Sequence, residues 1–237
     1  MKTIIHKASE RGFADHGWLQ TYHSFSFAGY HDPEKVHFGM LRVLNDDTIA
    51  PGMGFGEHPH DNMEIITIPI SGALEHKDSM GNTSVIRAGE VQIMSAGTGI
   101  THSEFNASKS ENVHLLQIWL FPNEKNIEPR YDQRTFNPEF RKNRFDCIVS
   151  PDGIGESLWI NQDAYLSLGR YHRGVNGSYK LKQKGNAVYI FIITGKVSVV
   201  GKVLDERDAI EVTETEKVSF IPATESEILI IETPLGI

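Results

Sequence analysis

Apolar residues along this chain recur in short runs that alternate with polar residues and stop at Gly, Pro, Asn or Asp. A period of two fits strands and turns and does not fit the three-to-four spacing of an amphipathic helix. The clearest strand segments are residues 64–70, 113–121, 187–200 and 228–232. Turn residues punctuate the chain at Ser71-Gly72, 78–82, Ala88-Gly89, Thr194-Gly195 and Val200-Gly201. The expected class is therefore all-β. With 237 residues there is room for one large β domain or two small ones.

The alternation fails between residues 122 and 144, where the chain becomes charged and rich in Asn, Pro and Arg, ending in Arg141-Lys142-Asn143-Arg144. This stretch reads as a connection with a short helical turn, and the arginine and lysine run reads as a solvated face. The flanking halves echo each other, with Gly89-Glu90 in the first and Arg207-Asp208 in the second at matching steps between strands. An internal duplication of a double-stranded β-helix follows, giving two tandem jelly-roll barrels: residues 1–122, a linker over 123–144, and residues 145–237.

Charge and cysteine content narrow the function classes. Lys and Arg total 23 against 31 Asp and Glu, a formal charge of −8, so the chain has no basic excess to neutralise phosphates. Direct nucleic-acid binding is not expected. Cys147 is the single cysteine, which precludes an internal disulfide, fits a reducing compartment and reads as a small buried hydrophobe. The opening residues carry charges and a histidine where a signal peptide needs an apolar run, and no stretch is long and apolar enough for a membrane span. A cytoplasmic location with no membrane partner is the expectation.

Two blocks carry the chemistry. In the first, His58 and His60 stand at i and i+2 and project from one face of an extended strand; Glu64 follows at the same parity. In the second, His102 and Glu104 repeat the i, i+2 arrangement. Two such strands facing each other across a barrel mouth would present three imidazoles and one or two carboxylates to a single point. That donor set suits one borderline divalent ion such as Fe, Mn, Cu, Ni or Zn, with geometry rather than affinity selecting among them. A six-coordinate ion would leave two positions for substrate and dioxygen. A closed structural zinc site would use thiolates, and the chain has one cysteine.

These blocks resemble the two cupin motifs. Gly52, His58, His60 and Glu64 follow the first motif, and Gly89, Gly97, His102 and Asn106 follow the second, with the histidine displaced by two residues and followed by Glu104. That displaced variant is similar to the pirin-like proteins, as are Asp15-His16-Gly17-Trp18-Leu19, Phe25-Ser26-Phe27-Ala28, His58-Pro59-His60, His76-Lys77-Asp78 and Ser95-Ala96-Gly97-Thr98-Gly99-Ile100. The likeness is dense from about Asp15 to Pro122 and fainter in the second half, through residues 185–187 and 195–197. That half has no His-x-His, and its His172 stands without a partner histidine, so a degenerate cupin without metal is expected. One departure stands beside the site: Asp61-Asn62 follows His60 where the family often carries a basic residue.

The resemblance implies His58, His60, His102 and Glu104 as metal ligands, with Glu104 preferred to Glu64 because of the displaced second motif. Glu104 is the candidate base for a substrate hydroxyl. Glu64 is assigned to orienting an imidazole and is the alternative base. His76 and Gln117 are candidate pocket residues, with a structural role before a turn also open for His76; Trp119 and the aromatic segment around His16, Trp18, His23, Phe25 and Phe27 read as packing. The activity implied is a quercetinase-type dioxygenase, opening flavonols such as quercetin with dioxygen and releasing carbon monoxide. The alternatives are an iron-dependent redox sensor or regulatory binding protein acting through a protein partner, and a metal enzyme on another small aromatic substrate.

Overall fold

The structure, a computed structural model, describes residues 1–153 and 155–236. Its strands are β1 (Lys2–His6), β2 (Gly12–Asp15), β3 (Leu19–His23), β4 (Leu41–Ile49), β5 (Gly54–His60), β6 (Glu64–Ser71), β7 (Ala73–Asp78), β8 (Thr83–Arg87), β9 (Glu90–Ser95), β10 (Ile100–Asn106) and β11 (Val113–Leu120). They continue with β12 (Arg130–Thr135), β13 (Phe145–Ser150), β14 (Leu158–Trp159), β15 (Tyr165–Tyr171), β16 (Gly177–Lys180), β17 (Ala187–Thr194) and β18 (Val197–Val199). The last four are β19 (Lys202–Leu204), β20 (Ala209–Thr213), β21 (Lys217–Pro222) and β22 (Ser226–Thr233). Two short 3-10 turns, Ala8–Glu10 and Pro138–Arg141, are the helical elements among the described residues, and no helix there is long and apolar enough to cross a membrane. The all-β expectation holds.

Each half folds as a seven-stranded sheet facing a four-stranded one. The first half orders its strands β12-β9-β6-β11-β4-β3-β2 and β5-β10-β7-β8; the second orders them β1-β20-β17-β22-β15-β13-β14 and β16-β21-β18-β19. Position for position the orders match, as an internal duplication requires: β9 corresponds to β20, β6 to β17, β11 to β22, and the pair β5-β10 to β16-β21.

The expected boundaries are corrected at both edges. Arg130–Thr135, placed in the linker by its composition, is a strand along β9, with Arg130 opposite Ser95 and Thr135 opposite Glu90. Lys2–His6, placed in the first half, instead runs along β20, with Lys2 opposite Thr213 and His6 opposite Ala209. Both are edge strands. An edge strand needs backbone partners more than apolar side chains, so Arg130, Asp132 and Arg134 carry little strand signal while still covering the open ladder of β9.

Period two then sorts side chains between two environments. Along β11, Leu116, Ile118 and Leu120 join Leu44, Ile66, Ile68 and Ile93 in a core shared with Leu166, Leu168, Tyr189, Phe191, Leu229 and Ile231 of the second half, so the large sheets pack face to face. Gln117 and Trp119 have the opposite parity and turn into the first barrel. The strand pair β5-β10 closes the mouth of that barrel, and Gly54 allows the approach: a Cβ there would stand 2.1 Å from the Glu104 carbonyl oxygen.

Candidate metal centre

Register places the histidines. In the antiparallel pair β5-β10, His102 lies opposite His58 and Ile100 opposite His60, while Glu104 lies opposite Phe55; the uneven count is a β-bulge between His102 and Glu104. Bulges re-aim side chains at barrel rims, and this one turns His58 so that its Nδ1 lies 2.8 Å from the Gly56 carbonyl oxygen. After His60 the chain reverses through Asn62 at φ 44°, a left-handed conformation that asparagine tolerates. Asn62 Oδ1 accepts from the Asn126 amide at 2.7 Å, tying the turn to the loop before β12.

The ligand nitrogens of His58, His60 and His102 lie within 4.8 Å of one another. Their ring centroids are 4.4 Å apart for His58 and His102 and 4.9 Å apart for each pair with His60. Three imidazoles at that spacing repel when protonated. Burial and mutual repulsion lower His60 to about 4 and His102 to about 2, so both rings are neutral near pH 7 and keep a lone pair.

The donor set fits a divalent cation, and the test lies in the nitrogens. His58 Nδ1–H donates to the Gly56 carbonyl, which turns its other nitrogen, Nε2, to the ion. His102 is 2 % exposed, and its Nε2 is buried with no hydrogen-bond partner. A buried nitrogen lone pair without a partner is costly unless something electropositive completes it. An ion among the three rings would do so.

Glu104 takes a different position from the one expected. It falls in a second triad, with His76 and His102, whose donor atoms also lie within 4.8 Å of one another; the two triads share His102. Gln117 Nε2 donates to both Glu104 carboxylate oxygens, at 3.0 and 3.3 Å, and Gln117 in turn accepts from the Thr67 hydroxyl at 2.9 Å. Burial pushes the Glu104 carboxyl up to about 7 against the lowering effect of those hydrogen bonds. His76 is fully buried behind His102, and Gln117 holds Glu104 from inside the barrel.

The orienting role expected of Glu64 is corrected. Its Oε2 accepts from Ser95 Oγ at 2.8 Å and from the Asn161 amide at 3.2 Å, so it bonds to β9 and to the second half and to no imidazole. The turn at Asn62 separates β5 from β6 and breaks the parity that had aligned Glu64 with the histidines. His172 of the second half pairs with Glu225, Nδ1 to Oε2 at 2.7 Å.

Three features were read as packing or passed over. Trp119 packs beside Ile65, Met94 and Ile100, yet its ring also meets His60 edge to face at 4.9 Å. Phe27 stands against Trp119 at 5.3 Å, and Phe55 lies 6.2 Å from His58. Phe27 and Phe55 belong to the wall of a cavity of about 490 Å³, with Leu19 and Tyr30 among its apolar lining and Asn45 and Asp47 among its polar lining. The available signal was the inward parity of Trp119 with Gln117 and of Asn45 with Asp47.

Known proteins resemble this chain along nearly its whole length. Residues 5–120 match the Pirin family, and residues 147–233 match the quercetinase C-terminal cupin domain. A quercetin 2,3-dioxygenase of Escherichia coli K12 is 42% identical over 230 residues, covering 97% of this chain and 98% of that protein. The chain belongs to the pirin family. A pirin-like protein of Caulobacter vibrioides is 36% identical over 93% of this chain and 95% of its own length. Among solved structures, the E. coli pirin YhhW in complex with nickel(II) superposes with a TM-score of 0.93 at 41% identity, covering 98% of this chain and 99% of that one. Two cupin barrels, the first of them the pirin domain, are thereby established.

Proposed function

We propose that this pirin is a metal-dependent dioxygenase of the quercetinase type, opening a flavonol with dioxygen and releasing carbon monoxide. The observation that carries the reading is a triad of converging imidazoles beside an aromatic-walled cavity, with the buried Nε2 of His102 lacking any partner. The name of the E. coli relative and the nickel(II) complex of YhhW support it.

In this reading His58, His60 and His102 would hold one divalent ion, with Glu104, which shares a donor cluster with His102, as the fourth ligand. Iron is the first choice of metal, ahead of Cu, Mn, Ni and Zn. Bound there, such an ion supplies Lewis-acid stabilisation to the oxyanion of a flavonol 3-hydroxyl. The protein's own residues do the rest. Glu104, buried and held by Gln117, is the carboxylate placed to accept the hydroxyl proton. Phe27, Tyr30 and Phe55 give flat apolar surface to the aromatic rings, Asn45 and Asp47 offer partners to ring hydroxyls, and the volume falls in the range of small-molecule sites. Trp119 meets His60 edge to face at the side of the triad.

The deciding experiment strips the protein of metal, reloads it separately with Fe, Mn, Ni, Cu and Zn, and follows dioxygen uptake and carbon monoxide release with quercetin. Uptake with at least one metal is expected. A protein that holds metal but consumes no dioxygen with any of the five ions would overturn the reading.

A further inference from the structure

Behind the triad lies a chain of contacts that ends on the His102 ring, at the nitrogen opposite the one a metal would bind. His102 Nδ1 stands 3.4 Å from His76 Nδ1, and His76 Nε2 stands 3.2 Å from Asp78 Oδ2. From this geometry we infer that His76 and Asp78 are a positioning pair that fixes the ring tautomer of His102, leaving Nε2 bare for the metal. The inference rests on the metal-site reading above.

The argument is one of proton counting. Two imidazole nitrogens that face each other form a hydrogen bond when one carries a proton and the other does not. Asp78 decides which. Its Oδ1 accepts from the backbone amides of Met80 and Asn82, both at 3.0 Å, and its Oδ2 accepts from Asn82 Nδ2 at 2.8 Å. A carboxylate already receiving three donors is set up as an acceptor, so the proton between it and His76 sits on Nε2 of the imidazole. His76 Nδ1 is then bare and accepts from His102 Nδ1–H. The other nitrogen of His102 then carries no proton, and it is the one with no partner in the protein. His58 reaches the same state by a separate route, through the Gly56 carbonyl. Polar groups behind a ligating histidine set its orientation and basicity in this way.

The pair is held rigidly. His76 and Asp78 lie on β7, directly alongside β10, where Asp78 is opposite His102 and His76 opposite Glu104. Both side chains are fully buried. Tyr131 of the edge strand β12 stacks on His76 with ring centroids 4.8 Å apart and planes inclined by 29°, so the strand read as linker roofs the relay. His76 could itself compete for the ligand role, since one of its nitrogens falls in the triad with His102 and Glu104.

The test uses the full chain, stripped of metal and titrated with Zn²⁺ in competition with a chromophoric chelator, alongside nitrogen-15 spectra of the histidine rings. The wild type is expected to bind Zn²⁺ and to show His102 as the Nδ1–H tautomer before metal is added. H76F and D78N should weaken Zn²⁺ about 10- to 100-fold and shift the His102 ring signals, whereas H76Q, whose carboxamide oxygen can accept from Nδ1–H, should stay within about threefold. D78N preserves an acceptor oxygen for the Met80 and Asn82 amides, so it tests the relay where H76F fails to fold.

Wild-type binding of Zn²⁺ with unchanged affinity and unchanged His102 signals in D78N would overturn the pair. An Nε2–H tautomer of His102 in the wild type would overturn it too. Loss of Zn²⁺ by H76Q as complete as by His102→Ala would make His76 a ligand, again overturning the proposal. A wild type that binds no Zn²⁺ would instead bring down the metal-site reading itself.

Discussion

In the first barrel the strand pair β5-β10 turns His58, His60 and His102 toward one another at the mouth, whereas β16-β21, in the same place in the strand order, brings in Tyr179, Val218 and Phe220. Those three join Tyr171, Val188, Ile190, Val197 and Ile228 in an apolar core. The first barrel keeps Thr67, His76, Gln92, Glu104 and Gln117 buried inside it. One strand order thus accommodates either an interior lined by many polar groups or a mainly apolar one, whose Tyr179 hydroxyl donates to buried Glu232. A barrel filled with aromatic rings gains stability directly from burial. A polar one is better placed to recover the desolvation of its groups through hydrogen bonds, or a ligand.

The largest contrast should appear in metal content. His58→Ala and His102→Ala are each expected to cut bound metal from one ion per chain to about a tenth or less, because each removes one of three converging donors. His172→Ala, at the histidine of the second half, should leave the content unchanged, since His172 is spent on Glu225 at the surface. Elemental analysis of the three variants reads this directly. Full occupancy in both first-barrel variants would mean that the ligands lie elsewhere.

The reverse contrast should appear in stability. Phe220 is 3 % exposed and sits 4.8 Å from Tyr171 and 5.6 Å from Phe145, ring to ring. Phe220→Ala should cost about 4 kcal/mol in chemical unfolding through lost burial and the cavity left behind, with metal content untouched. A parallel loss of metal would show that the second barrel supports the site and does not merely accompany it.

The difference between the barrels was partly legible in the residues. The i, i+2 spacing of His58 and His60 fixed a common face for them, and their rings do converge. Parity along β11 turned Gln117 and Trp119 inward while Leu116 and Ile118 went to the core between the halves. What stayed hidden depends on contacts distant in sequence. The bulge opposite Gly56 and Glu57 decides where Glu104 stands relative to the triad, and spacing along one strand carries no information on the register of its neighbour. Glu64 shares parity with His60 only if the chain runs straight on, and Asn62 at φ 44° reverses it. β1 and β12 are edge strands whose strand character comes from the ladders they cover. The tandem cupin fold, by contrast, follows from local alternation and repeated turn chemistry, and the family resemblance agrees with it.

The seam between the halves offers a smaller effect. Asp46 is 5 % exposed and gathers Arg11 at 3.0 Å, His114 at 2.5 Å and, from the second half, Arg207 at 3.5 Å. Burial pushes its carboxyl up, but the His114 hydrogen bond and the two guanidinium groups outweigh it and hold the group below the usual carboxylate range. Asp46→Asn should cost about 3 kcal/mol at neutral pH by leaving those cations without a counter-charge. A depressed folded-state value means that this contribution is complete above pH 4 or so and is lost as pH falls through the folded-state value. The variant should therefore show a flatter acid limb than the wild type in unfolding measured from pH 2 to 7. An unchanged acid limb would place the pH sensitivity in another carboxylate.

Glu64 should act in the opposite sense. It is 1 % exposed, and burial raises it to about 7 despite the lowering effects of Ser95, the Asn161 amide and Arg130. Between roughly pH 4.5 and 7 the folded chain holds this proton more tightly than the unfolded one, so the group's contribution to stability falls as pH rises through that window. Glu64→Gln remains neutral throughout and keeps an oxygen for Ser95 and the Asn161 amide. Wild type and variant should therefore differ least near pH 5, with the variant gaining about 2 kcal/mol on the wild type by pH 8. Metal content should not change, because Glu64 bonds to β9 and the second half and not to the histidines. A loss of metal in Glu64→Gln would restore this residue to the site and place a carboxylate on each side of the triad.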